Sequence, residues 1–468
     1  MTLIKSISGF RGTIGGKPGD TLNPLDIVKA VSAFAQLREN VAGQGQIRRK
    51  IVVGRDARIS GEMVSHVVCG TLMGLGYDVV NIGLASTPTT EIAVVAEHAC
   101  GGIILTASHN PRQWNALKLL NERGEFLPAK EAQAVVRLMN KEDFIYPDVD
   151  HLGQYVKNLS YDQRHIQMVK DLELVDVEAI RNAHFRVALD TVNSVGGLIL
   201  PRLLGQLGVT EVKGINLEPT GEFAHNPEPL AKNLGDIMDM MRREGNFDIG
   251  FVVDPDVDRL AIICEDGTMY GEEYTLVTVA DYVLQNTPGN TVSNLSSTRA
   301  LRDVTEKYGC RYTASAVGEV NVVTKMYETG AVIGGEGNGG VIYPRAHSGR
   351  DALVGIALIL TYMAKLGKKA SEMRAMYPQY FMAKQRIDLS PGTDILGILN
   401  NIKEKFKDEQ VTDIDGVKVD FADKWVHLRK SNTEPIIRVY SEAHTQEEAE
   451  ALAKQFVDLA YAYSGESF

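Results

Sequence analysis

The sequence predicts a multidomain α/β protein, with three similarly built α/β units followed by a smaller, strand-rich α+β unit. Three observations carry this. The chain has 468 residues, too many for one core and suited to about three or four domains. Short apolar, β-rich runs alternate with helical patterns, as in a parallel α/β sheet. That alternation restarts twice, and the texture changes after Ala370.

In the first unit Ile51-Val-Val53, Asp78-Val-Val80 and Gly102-Ile-Ile-Leu105 read as strands, with helical patterns over 24–37 and 61–76. Phe185-Arg-Val-Ala-Leu-Asp190, then Asn193 and Gly196-Gly197, repeats the order strand, acid, glycine, helix. Residues 291–296 open a third such unit before a helical stretch over 299–308. Beyond Ala370 come a helical turn to Tyr377, a strand at Ile387-Asp-Leu389, a helix over 395–405 and a strand-rich stretch. Seams are expected near Tyr155, just after Arg259 and near Glu372, giving domains over 1–155, 156–259, 260–371 and 372–468.

Composition narrows the class. With 44% apolar residues the chain can bury ample surface, and no low-complexity tract suggests disorder. Cys69, Cys100, Cys264 and Cys310 lie in or beside apolar runs without paired spacing. They read as buried reduced thiols, which fits a cytoplasmic protein. Met1-Thr-Leu-Ile-Lys5 lacks a signal-peptide layout, and no apolar run reaches ~18 residues, so no membrane partner is expected. A net charge of −11 argues against nucleic acid as a partner. An anionic ligand would therefore need a local basic cluster.

Four segments carry the chemistry. Thr106-Ala-Ser-His-Asn-Pro111 follows the apolar run Gly101-Gly-Ile-Ile-Leu105, with Lys118 seven residues beyond it. A hydroxyl at the exit of a buried strand can face a ligand; the alternative is a polar loop with a helix cap at Ser108 or Asn110. Asp254-Pro-Asp-Val-Asp-Arg259 follows the strand-like Gly250-Phe-Val-Val253. Three carboxylates at alternate positions repel one another, and a hard divalent cation neutralises them; a solvated acidic turn is the alternative. An EF-hand is excluded, because Arg259 stands at position six in place of glycine and Leu260-Ala-Ile-Ile-Cys264 continues as a strand. Three carboxylates leave a six-coordinate ion under-ligated, so water or phosphate oxygens must complete it, which points to phosphoryl chemistry.

Gly334-Gly-Glu-Gly-Asn-Gly-Gly340 offers only Glu336 and Asn338 as side chains. Glu336 could accept from sugar hydroxyls; a plain glycine-rich hairpin turn is the alternative. Arg429-Lys-Ser-Asn-Thr-Glu-Pro435, closed by Arg438, lies between strand-like Trp425-Val-His-Leu428 and Ile436-Ile-Arg-Val-Tyr440. Arg429, Ser431, Asn432, Thr433 and Arg438 offer a fork of donors suited to a dianionic phosphate; a solvated hairpin tip is the alternative.

Taken together, the four segments resemble the α-D-phosphohexomutase family, in family order and over the whole chain. The family has a T-A-S-H-N-P phosphoserine loop, a D-x-D-x-D-R metal loop, a G-E-x-S/N-G sugar loop and an R-x-S-x-T-E-P phosphate loop. Ser8-Gly-Phe-Arg-Gly12 and Val53-Gly-Arg-Asp-Ala-Arg-Ile-Ser-Gly61 are supporting matches. The resemblance implies mixed-sheet domains around a central cleft. It further implies an intramolecular phosphotransferase that moves phosphate between C6 and C1 of a hexose. Ser108 would be a phosphoserine, and Mg²⁺ would be held by Asp254, Asp256, Asp258 and the group on Ser108. A hexose 1,6-bisphosphate would be both intermediate and activator. Lys118 with Arg11 matches the basic pair beside the phosphoserine, Lys118 acting as a base of depressed pKa or as a phosphate clamp. His109 shapes the loop, and Arg259 joins the substrate-binding set with Glu336, Asn338 and the phosphate loop. Gly-Glu-Gly-Asn-Gly-Gly with Gly349-Arg-Asp-Ala352 looks like an archaeal-type branch, and the first choice of substrate is glucosamine 6-phosphate, with mannose and glucose phosphates the alternative. The partner is a small sugar phosphate and the chain a monomer or homodimer. A Mg²⁺-dependent phosphatase or a non-catalytic sugar-phosphate-binding protein are the competing classes.

Overall fold

A computed structural model describes residues 3–6, 9–390, 392–430 and 436–465. Contacts divide the chain into two compact units, one of residues 1–282 with 338–374, the other of 283–337 with 375–468. Among the described residues, the elements follow the predicted rhythm of strands and helices.

The first unit contains a seven-stranded sheet in the order Ile4–Ser6, Gly9–Thr13, Trp114–Leu120, Ala99–Leu105, Arg48–Arg55, Asp78–Leu84, Tyr155–Lys157. Ala99–Leu105 is buried at every position, as a central strand covered on both faces must be. It pairs in parallel with Arg48–Arg55 and antiparallel with Trp114–Leu120. The sheet is thus mixed rather than purely parallel. The returning strand went unread in the sequence because Asn115 and Lys118 interrupt its apolar run. A second sheet in this unit has the order Leu260–Cys264, Ile249–Val253, Arg186–Asp190, Glu211–Ile215.

Two expected seams meet continuous ladders. Tyr155–Lys157 pairs with Asp78–Leu84, so the sheet runs past Tyr155. Leu260–Cys264 pairs over its whole length with Ile249–Val253, so a boundary after Arg259 would cut a hairpin.

The second unit carries a parallel sheet of Thr291–Asn294 between Tyr312–Ser315 and Ile333–Glu336. Its C-terminal part is a five-stranded sheet in the order Phe381–Asp388, Ile436–Ala443, Trp425–Lys430, Val417–Asp420, Gln410–Thr412, antiparallel throughout. Helices Ile395–Lys405 and Gln446–Ser464 share one apolar cluster with it, including Ile402, Val439 and Phe456. This is the smaller α+β domain. Cys69, Cys100 and Cys264 are buried free thiols and Cys310 is partly exposed. No helix among the described residues is long and apolar enough to cross a membrane.

Within the first unit a buried polar cluster ties three stretches of chain together. Asp351 caps helix Ala352–Leu366 through Leu353 N and Val354 N. Its other oxygen receives His165 Nε2 at 2.8 Å and His347 Nε2 at 3.1 Å. Glu91, on helix Thr87–Ala96, lies 3.2 Å from His347 Nδ1. Burial opposes charge on His347, but Asp351 and Glu91 outweigh it and push its pKa up to about 10. A raised folded-state pKa gives stability that is complete below the unfolded value, about 6.5, and is lost as pH rises through the folded one. The urea midpoint of wild type should therefore exceed that of His347→Gln by a constant margin below about pH 6.5. That margin should shrink steadily from pH 7 towards 10; a margin flat across the range would contradict this account.

Candidate active site

Ser108 sits just past the end of Ala99–Leu105 with φ of 49°, in the left-handed region. A non-glycine residue there is strained and must be held. Thr106 Oγ1 accepts Ser108 N at 2.9 Å. Arg58, fully buried, donates to the backbone oxygens of Ser108, Asn110, Pro111 and Trp114. Its Nε binds Asp56 at 3.0 Å, and Asp56 also accepts Thr106 Oγ1 at 2.7 Å. The Val53–Gly61 motif carries these residues, but a sequence string does not reveal that its second arginine fastens a loop some fifty positions away.

The hairpin between Ile249–Val253 and Leu260–Cys264 presents Asp254, Asp256 and Asp258, all fully buried, with one oxygen of each within 4.8 Å of the others. The turn requires Val257 at φ of 62°. Neighbouring segments clamp its backbone: Thr87 N donates to Asp256 O, Ser194 Oγ to Pro255 O and Ala352 N to Val257 O.

Each carboxylate has one oxygen engaged by protein donors. Asp254 Oδ1 accepts the backbone N–H groups of Asp258 and Arg259, each at 3.2 Å. Asp256 Oδ2 accepts Thr87 Oγ1 at 2.6 Å and Lys118 Nζ at 2.7 Å. Asp258 Oδ2 accepts Arg350 Nη2 at 2.6 Å. The second oxygens remain for something else. Asp254 Oδ2 accepts Ser108 Oγ at 2.7 Å, and Asp256 Oδ1 and Asp258 Oδ1 are buried with no hydrogen-bond partner. Orphaned buried carboxylate oxygens are costly. Two of them beside a third that faces a serine make a donor set that fits a small hard divalent cation.

Charge is balanced locally. Lys118 reaches this place because its strand returns antiparallel, opposite Ile104. Lys118 also lies 3.8 Å from Asp258, and Arg259 Nε lies 4.0 Å from both Asp254 and Asp258. Burial and the two neighbouring carboxylates push Asp254 well up. Burial acts the same way on Asp256, but Lys118 and Thr87 outweigh it and hold that carboxyl below its usual range. The depressed pKa expected for Lys118 is corrected: burial lowers it, but Asp256 and Asp258 prevail and raise it. Arg11, on the strand beside, donates to Asn110 Oδ1 at 2.8 Å. His109 Nδ1 stands 3.4 Å from Ser108 Oγ, and burial with Arg259 and Arg11 keeps the ring neutral, well below its usual range.

Asn338, also in the first unit, accepts Gly340 N at 3.2 Å and so shapes its own turn. In the second unit Glu336 is buried at the end of Ile333–Glu336, its Oε1 accepting Asn294 Nδ2 at 2.8 Å and Gly318 N at 3.0 Å. There Arg429 and Arg438 stand directly opposite on paired strands, and Arg386 stands opposite Arg438 on the next. Like charges in cross-strand register destabilise a sheet. Asp415 approaches Arg429 Nε at 3.3 Å and Asp388 approaches Arg386 at 3.2 Å. Arg438 between them has no ion-pair partner among the described residues. Ser431, Asn432 and Thr433 lie outside the described residues. The sequence reading missed Arg58, Thr87, Arg350 and Arg386.

The clamp on the serine loop is testable. Arg58→Met leaves Asp56 buried and uncompensated, and should lower unfolding free energy by about 3–5 kcal/mol in urea titrations. A loss below about 1 kcal/mol, typical of an exposed pair, would refute the clamp.

Comparison with known proteins agrees with this geometry. Sequence models of the phosphoglucomutase/phosphomannomutase family match in chain order: α/β/α domain I over residues 3–146, domain II over 163–267, domain III over 271–380 and the C-terminal domain over 393–459. A phosphoglucomutase/phosphomannomutase of Thermococcus kodakarensis is 36% identical over 94% of this chain and 95% of its own. A phosphoglucosamine/phosphogalactosamine mutase of Sulfurisphaera tokodaii is 31% identical over 87% of this chain and 90% of its own. In fold, the chain is similar to the crystal structure of a phosphoglucomutase/phosphomannomutase family protein from Burkholderia thailandensis. The TM-score is 0.84 at 24% identity, covering 99% of this chain and 98% of that one. With four family domains in order and full-length relatives, the chain belongs to the phosphoglucomutase/phosphomannomutase family and is a phosphohexomutase, an isomerase that acts as an intramolecular phosphotransferase.

Proposed function

We propose that Ser108 carries the phosphoryl group that this isomerase exchanges between C6 and C1 of a hexose. The observation behind this is the 2.7 Å contact of Ser108 Oγ with Asp254, beside two buried carboxylate oxygens that lack partners. Asp254, Asp256, Asp258 and a phosphoryl oxygen on Ser108 would hold Mg²⁺. When bound, the ion draws charge from the phosphoryl group and makes the serine oxygen a better leaving group.

The free hydroxyl of a hexose monophosphate takes the phosphoryl group: its oxygen bonds to phosphorus, the bond to Ser108 Oγ breaks, and the hydroxyl proton leaves to a base. The resulting 1,6-bisphosphate returns its other phosphate to Ser108, and the same steps run in reverse. Arg429 and Arg438, with Ser431, Asn432 and Thr433, grip the phosphate that is not reacting, and Glu336 accepts from sugar hydroxyls. Lys118, 2.7 Å from Asp256 and 3.8 Å from Asp258, fits the clamp role. Arg11 fixes Asn110 in the serine loop, Arg259 adds positive charge beside the triad, Asn338 keeps its turn, and the neutral His109 packs beside Ser108.

For the sugar, the first reading is glucosamine 6-phosphate, in line with the Sulfurisphaera relative. Glucose and mannose phosphates form the second, favoured by the higher identity to the Thermococcus relative.

Four measurements test this. Ser108→Ala should lose mutase activity to background while binding sugar phosphate, and digests of wild type alone should show one phosphoryl increment on the peptide holding Ser108. Full activity in Ser108→Ala would sink the proposal. With Mg²⁺ and a trace of bisphosphate, a kcat/KM at least tenfold higher for glucosamine 6-phosphate, about 1.4 kcal/mol in the transition state, supports the first reading. Parity or a hexose preference establishes the second. Stimulation by the bisphosphate, rather than its mere hydrolysis, separates a mutase from a phosphatase.

A further inference from the structure

Arg350 belongs to the Gly349-Arg-Asp-Ala352 string, which offered no site residue in the sequence, yet it makes one of the closest contacts in the site. Its Nη2 is 2.6 Å from Asp258 Oδ2, across 92 residues of sequence. Both side chains are buried, Arg350 at 9% exposure and Asp258 at 0%.

The surroundings are arranged to put the guanidinium there. Arg350 bridges to Ile342 and Asp351 N donates to Val341 O, which fixes the backbone. Asp351 is fastened by His165 and His347 and caps the following helix. The arginine stem then crosses Gly340, where a Cβ would fall 2.3 Å from Arg350 Cδ. Gly340 is thus needed for a reason unrelated to sugar binding: it leaves the groove in which the arginine lies.

The consequence concerns coordination number. A carboxylate with both oxygens open can bind a cation through two oxygens, which suits Ca²⁺ with its 6–8 ligands. Mg²⁺ demands compact octahedral geometry and takes one oxygen per carboxylate. In this triad the backbone N–H groups of Asp258 and Arg259 occupy Asp254, Thr87 and Lys118 occupy Asp256, and Arg350 occupies Asp258. Backbone donors cannot leave, and Asp256 is held by two side chains. Asp258 depends chiefly on Arg350, because Lys118 stands at 3.8 Å from it.

We propose that Arg350 is the metal-selectivity residue of this site: it holds Asp258 to one open oxygen and so favours Mg²⁺ over Ca²⁺. It is a positioning residue, acting on the ion through Asp258. The inference rests on the reading of the triad as a cation site.

The test is direct binding on the full chain, followed by the electron paramagnetic resonance of Mn²⁺ displaced in turn by Mg²⁺ and Ca²⁺. Arg350→Gln should raise the ratio of Ca²⁺ to Mg²⁺ affinity about tenfold, because Asp258 is freed to bind through both oxygens. Gly340→Ala leaves every charge in place but pushes the stem aside, and should move the ratio the same way, by about threefold or more. Arg350→Lys, which keeps the charge, should fall between wild type and Arg350→Gln. Circular dichroism melting identifies any variant that does not fold; should Arg350→Gln be one, Gly340→Ala and Arg350→Lys decide. Folded variants whose ratios stay within about twofold of wild type overturn the proposal. Absence of a Mn²⁺ site in wild type overturns it together with the reading of the triad, so the two failures are distinct.

Discussion

Three carboxylates buried within 4.8 Å of one another set the terms for everything around them. Unpaired charges are not tolerated at such burial. Lys118, Arg259 and Arg350 bring one positive charge each to Asp254, Asp256 and Asp258. The protein alone therefore brings the triad close to neutrality. A divalent cation and a phosphoryl dianion on Ser108 can then enter as a further pair of opposite and nearly equal charge. On the proposed mechanism that balance matters, because the phosphoryl group would leave and return and the site must be stable in both states.

The same constraint explains the strain in the two loops. Ser108 and Val257 both have left-handed backbones, a conformation that costs of order 1–3 kcal/mol for non-glycine residues. In each case the cost is offset by donors that converge on backbone oxygens. Arg58 serves the serine loop; Thr87, Ser194 and Ala352 serve the metal loop. A side-chain hydroxyl and a carboxylate can then meet at 2.7 Å without freedom to drift, which is what positioning for phosphoryl transfer requires.

How much of this was legible in the sequence follows from distance along the chain. Ser108 and the three aspartates each lie within one short string between apolar runs, so they stand out directly in the sequence. Thr87 reaches Asp256 across 169 residues and Arg350 reaches Asp258 across 92; no local pattern marks Thr87, and the string Gly349-Arg-Asp-Ala352 does not reveal which aspartate its arginine meets. Strands such as Ala99–Leu105 were visible because both faces are buried and the run is uniformly apolar. Trp114–Leu120 was not, because its lysine is buried for charge pairing rather than excluded. Tyr155–Lys157 hid for the opposite reason: all three residues are exposed at a sheet edge. The motif that ends at Arg259 is a hairpin turn whose ladder closes on its far side, a pairing that the string alone does not show.

The division of labour between the compact units carries one last point. Ser108, the triad and its compensating cations belong to one unit, while Glu336 and the row Arg386, Arg438, Arg429 belong to the other. On the proposed mechanism, a bisphosphate that presents either end to Ser108 needs chemistry that stays fixed and a grip that does not distinguish the ends. Guanidinium forks recognise a phosphate by its charge and oxygens, which are alike at C1 and C6. The triad, by contrast, leaves one oxygen each of Asp256 and Asp258 buried without a hydrogen-bond partner. Under that mechanism, selectivity for the reaction would be built where the side chains are buried and interlocked, and tolerance of two substrate orientations where Arg386, Arg438 and Arg429 stand in register on paired strands.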